Sequence, residues 1–126
     1  SRQDSELVLM ASSEIARYLD TGNGRVALDP EGYLVELSEW TPAVAEALAA
    51  EEGRELTAEH WEVLEVIRRF YERYEASPAM RPLVKAVGQA LGPEKGRSLH
   101  LMKLFPDSPA KVAARLAGLP KPANCL

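Results

Sequence analysis

From Thr41 onward the apolar positions recur at helical spacing, and each run is bracketed by residues that start or stop helices. Thr41 caps a run with Pro42 at its first position, and Gly53 ends it. Thr57 caps the next, which extends to about Tyr74. Trp61, Val63, Leu64, Val66, Ile67, Phe70, Tyr71 and Tyr74 cover more than one of its faces, so this helix is expected at the centre of the core, aromatics included. Ser77-Pro78 opens a third helix, with Met80, Leu83, Val84, Val87 and Leu91 inward and Gly92-Pro93 closing it. Ser98 to Phe105 forms a short apolar helix. Ser108-Pro109 opens the last one, with Val112 and Leu116 inward, and Gly118 stops it.

The pattern before Thr41 differs. Val26 and Leu28 alternate with polar or small neighbours, Asp29-Pro30-Glu31-Gly32 carries type I turn residues, and Tyr33-Leu34-Val35 follows, which predicts a β-hairpin over 25–36. A lone hairpin is marginal in water, so this one has to lie against the helices. Upstream, Leu7, Leu9, Met10, Ile15 and Leu19 suggest a short helix, and residues 20–24 read as a loop. The fold class is therefore α+β: a small orthogonal helical bundle with an N-terminal β-hairpin and a flexible C-terminal arm. Residues 1–24 are set apart as an N-terminal extension, and 25–126 form the domain, with the arm at 118–126.

With 126 residues, the chain can bury an ordinary single core. Nineteen acidic against fifteen basic residues give a net charge of −4, which argues against the whole chain being a nucleic-acid binder. No apolar run reaches a membrane-spanning length, and one cysteine cannot form an internal disulfide, so a cytoplasmic location is expected. His60, His100 and the cysteine lack zinc-site spacing, so neither a metal nor a cofactor is expected. Both histidines read as helix-surface or helix-packing residues.

The chemistry left is at the end of the chain. Cys125 is the single cysteine, next to last, on a segment stiffened by Pro120 and Pro122. Fully extended, Gly118 to Cys125 reaches roughly 25 Å. A lone cysteine is commonly a small buried hydrophobe, whereas a terminal thiol on an extended arm is suited to enter a partner's active site. On the residues alone both readings stay open. Two basic i, i+4 pairs, Arg81/Lys85 and Lys111/Arg115, and Lys121 on the arm are candidate auxiliaries, since cations near a thiol favour the nucleophilic thiolate.

A resemblance narrows the choice. Glu31-Gly32-Tyr33-Leu34, Glu59-His60-Trp61-Glu62-Val63, Ser77-Pro78-Ala79-Met80-Arg81, Leu83-Val84-Lys85, Leu104-Phe105-Pro106, Pro109-Ala110-Lys111, Ala117-Gly118-Leu119-Pro120-Lys121-Pro122 and Cys125 follow one another as in the DsrC/TusE family of sulfur-relay proteins. The resemblance covers about residues 25–126. It implies that Cys125 carries sulfur as a persulfide. Members serving dissimilatory sulfite reductase have a second cysteine eleven residues earlier, where this chain has Ala114, so two-thiol chemistry is absent. The single-cysteine type passes sulfur towards 2-thiouridine in tRNA, with a TusBCD-like complex as donor and an MnmA-like tRNA thiouridylase with its tRNA as acceptor. Direct nucleic-acid binding and membrane attachment are not expected. The alternatives are a DsrC-like carrier or regulator in another sulfur pathway, and a non-catalytic, helix-turn-helix-like binding module.

Overall fold

The computed structural model describes residues 14–123. Two short strands, β1 (Arg17–Asp20) and β2 (Arg25–Leu28), precede five helices: α1 (Pro42–Glu51), α2 (Ala58–Tyr74), α3 (Met80–Leu91), α4 (Ser98–Leu104) and α5 (Pro109–Leu116). A 3-10 turn at Leu37–Glu39 links the strands to the helices. The class is α+β, as the pattern predicts. No helix among the described residues is long and apolar enough to cross a membrane.

The hairpin is displaced from its expected place. β1 pairs antiparallel with β2, Leu19 opposite Val26 and Asp20 opposite Arg25, so the 20–24 loop is the hairpin turn. Asp20 Oδ1 accepts from the Gly22 N–H at 2.9 Å, and the Thr21 N–H donates to the Gly24 carbonyl at 2.9 Å, which closes that turn. Arg17 to Leu19 is therefore strand and Glu14 to Ala16 coil, not helix; the part of the suggested helix before Glu14 lies outside the described residues. The Asp29–Gly32 turn does form, with the Gly32 N–H on the Asp29 carbonyl at 2.9 Å. After it, Tyr33-Leu34-Val35 forms no strand: it makes the isolated bridge Leu28 to Leu34 and takes part in two backbone bonds, Asp29 N–H to the Tyr33 carbonyl and Val35 N–H to the Ala27 carbonyl. Leu19, Val26 and Leu28 bury one face of this sheet against the helices.

Helix boundaries follow their caps. Thr41 Oγ1 accepts from the Val44 N–H at the start of α1. At the start of α2 an imidazole does what a glutamate does in a capping box: His60 Nδ1 accepts from the Thr57 N–H at 3.0 Å. Its Nε2–H then donates to the Leu104 carbonyl at 2.9 Å, and its ring meets Phe105 edge-on, so His60 ties α4 to α2. The Ser77-Pro78 start is shifted: α3 begins at Met80, and Pro78 is buried ahead of it.

The centre of the core is α5. It packs on α1, α2, α3 and α4, and its inward positions include Ala113 and Ala114, fully buried, with Leu116. Small side chains let four helices close on one. Val63, Leu64 and Ile67 of α2 are buried as expected, but that helix turns its C-terminal aromatics outward: Phe70 is half-buried and Tyr74 is 58% exposed. Tyr71 still packs against the core, so the apolar arc leaves it only at Phe70 and Tyr74.

Candidate functional site

The arm is the continuation of α5, so its geometry begins at that helix's last turn. Gly118 has φ = 74°, which few side-chain-bearing residues adopt, and it reverses the chain in a Schellman motif. The Leu119 N–H bonds the Ala114 carbonyl at 2.9 Å and the Gly118 N–H bonds that of Arg115 at 3.2 Å. Two more carbonyls would otherwise lack donors. Trp40 Nε1–H takes Leu116 at 2.9 Å, and the Arg68 guanidinium takes Ala117 at 2.6 Å. Arg68 also lies over the Trp40 ring, 4.0 Å from its centroid. Burial pushes the Arg68 guanidinium below its ordinary value, Glu72 opposing; its charge still complements the helix C-terminus.

Beyond the root the chain stays on the body. Leu119 and Pro122 are buried, Ser77 Oγ donates to the Pro120 carbonyl at 2.5 Å, and Lys121 Nζ bonds Glu31 at 2.8 Å. The arm is thus strapped from the 3-10 turn, α2, the loop before α3 and the turn after β2. The free reach counted from Gly118 does not apply: Pro122 is still packed, and the three residues from there to Cys125 span at most about 10 Å.

Of the candidate residues, Cys125 lies outside the described residues. The five cations fall in two places: Arg81 and Lys85 on α3, and Lys111, Arg115 and Lys121 beside the turn after β2. Arg81 and Lys85 are exposed on α3. Lys111 is half-buried, its carbonyl accepting from the Tyr33 hydroxyl at 3.3 Å. Arg115 turns away from solvent to pair with Glu52, and burial lowers its pKa while Tyr33 and Glu51 oppose. Lys121 holds Glu31. The second basic pair is therefore not a free cationic patch at the arm. Of the residues that position the arm, Trp40 and Arg68 carry no mark in the sequence, and Ser77 is marked there only as a helix start and as part of the family pattern.

A second feature lies one face around α2. Between α2 and α3 runs an open cleft of about 630 Å³, floored by Val66, Phe70 and Ala86 and edged by Arg69, Arg73 and Lys85. Its end at Tyr74 and Pro82 brackets the loop whose Ser77 holds the arm. Among the described residues, no group of three or more histidine, aspartate or glutamate side chains is placed to hold a metal.

Fold and strapped root together define a class: a small α+β protein whose C-terminal segment is held on the body through Pro122. The family model described as DsrC like protein matches residues 20–126. The chain is 52% identical over 101 residues to the sulfurtransferase TusE of Salmonella typhimurium, covering 80% of this chain and 93% of that one. It is 50% identical over 101 residues to the TusE of Pectobacterium atrosepticum, with the same coverage. The solution structure of Allochromatium vinosum DsrC superposes with a TM-score of 0.77 at 46% identity, covering 91% of this chain and all of that one. For the oxidized DsrC of Archaeoglobus fulgidus, the γ-subunit of its dissimilatory sulfite reductase, the values are 0.75 and 37%, over 87% and 100%. The chain belongs to the DsrC-like family of sulfur-relay proteins. Its role within that family is that of a sulfurtransferase.

Proposed function

We propose that Cys125 is the sulfur carrier and that the relay runs towards 2-thiouridine in tRNA. The observation that supports this most is the strapped root: the arm is held on the body as far as Pro122, three residues before the single thiol in the sequence. In the loading step the Cys125 thiolate attacks the outer sulfur of a donor persulfide. The donor's S–S bond breaks, the donor leaves as a thiolate, and the new S–S bond makes Cys125 a persulfide with no net oxidation. An acceptor thiolate repeats the exchange and returns Cys125 to the thiolate. A TusBCD-like donor and an MnmA-like acceptor with its tRNA fit these two steps, and the exchange belongs in the cytoplasm, where thiols stay reduced.

Ala114 supports the single-thiol route. It is fully buried on α5 and provides no partner for Cys125, so the persulfide waits for a second protein. Deleting the gene should abolish 2-thiouridine at the tRNA wobble position. Wild type should restore it and Cys125→Ser should not. Unchanged 2-thiouridine in the deletion strain would move the protein to another sulfur pathway, as a DsrC-like carrier or regulator. The non-catalytic module reading gives way to the sulfurtransferase role of the family.

A further inference from the structure

The cleft between α2 and α3 has no part in holding the arm, yet its chemistry is specific. The chain carries a net charge of −4, but Arg69, Arg73 and Lys85 line this cleft and no carboxylate does. Its floor is apolar, made by Val66, Phe70 and Ala86, and the cations stand at its edges. Among the described residues Arg69 pairs with the exposed Glu65 on its own helix, an interaction weak in water. An apolar floor with cationic edges complements an amphipathic helix that carries its apolar stripe inward and carboxylates along its flanks.

We propose that this cleft docks an acidic amphipathic helix of a protein that exchanges sulfur with Cys125. The inference rests on the relay reading and adds where the partner sits. Position supports it: Tyr74 and Pro82, at the end of the cleft, flank the loop whose Ser77 holds Pro120. Arg69 lies on the ridge between this cleft and the face where Trp40 and Arg68 clamp the arm root. A partner seated there lies beside the strap between Ser77 and Pro120, five residues before the thiol in the sequence. A single-stranded RNA would find the exposed Tyr74 ring and the same cations, but the apolar floor between the helices favours the helix.

The test uses the full-length protein with Arg69, Arg73 and Lys85 all changed to Glu, and Lys85→Glu alone as the milder variant at an exposed site. Affinity is titrated against a purified TusBCD-like complex, an MnmA-like thiouridylase from the same organism and a single-stranded RNA oligomer, at low and high salt. Loading of Cys125 from a low-molecular-weight persulfide is measured in parallel. The expected result is at least tenfold weaker binding of one partner by the triple variant and a several-fold loss with Lys85→Glu. The salt dependence should shrink, and small-molecule loading should be unchanged. Unchanged affinity for both proteins overturns the proposal, as does failure of the wild type to bind either. Loss confined to a single-stranded RNA oligomer overturns it in favour of an RNA site. Failure of loading in the wild type would instead sink the carrier reading, and the affinities would still decide the cleft.

Discussion

Gly118 has no room for a side chain. A Cβ there would sit 2.3 Å from Trp40 Cδ1, and the φ of 74° is strained for any other residue. Gly118→Ala must push Trp40 off the Leu116 carbonyl, and should cost about 3 kcal/mol in urea unfolding, from backbone strain and overpacking together. Arg68→Met keeps most of the aliphatic stem and removes both the bond to Ala117 and the stacking on Trp40. A loss of about 2–3 kcal/mol is expected, measured the same way. At this scale the sequence is only half legible. The helix stop at Gly118 is visible because glycine before proline is a local signal. The tryptophan pressed against it lies 78 residues away, and nothing local announces it.

Among the elements, α5 carries the most packing in the fewest residues. Ala114 is fully buried where α5 lies against its neighbours, so Ala114→Leu should cost about 3 kcal/mol or leave an expanded core, seen in the unfolding midpoint. The hairpin depends on a different contact. Arg17 donates both terminal nitrogens to Glu51, at 2.9 and 2.8 Å, tying β1 to α1. That bond holds the Glu51 carboxyl below its ordinary value, burial opposing. A lowered folded-state pKa means its stability is present above the ordinary carboxylate value, about 4.3, and is lost as pH falls through the lowered one. The side chains are 49% and 41% exposed, so the contribution is under about 1 kcal/mol. Glu51→Gln should therefore lower the urea midpoint slightly at neutral pH and leave it unchanged in strong acid. Helices were legible because their caps, Thr41-Pro42, Thr57 and Ser108-Pro109, are local chemistry. The hairpin was misplaced because a four-residue strand shows at most two turns of period-two alternation. Tyr33-Leu34-Val35 displays it as well as Arg17–Asp20 does.

The whole molecule is a body built around α5 and an arm that continues it. Sequence motifs carry the family assignment, because they sit where the arm meets the body: Glu31-Gly32-Tyr33-Leu34 forms the turn that Lys121 grips, and Ser77-Pro78 the loop that holds Pro120. A helical i, i+4 spacing says which residues share a face and nothing about what that face meets. Arg115 meets Glu52.

The central claim is that Cys125 carries the sulfur. Intact mass after incubation with a persulfide donor, wild type beside Cys125→Ser, tests it most directly. The account predicts a gain of one sulfur atom in the wild type, reversed by a thiol reductant and missing from the variant. A wild type that gains no sulfur, or a variant that gains it equally, would contradict it.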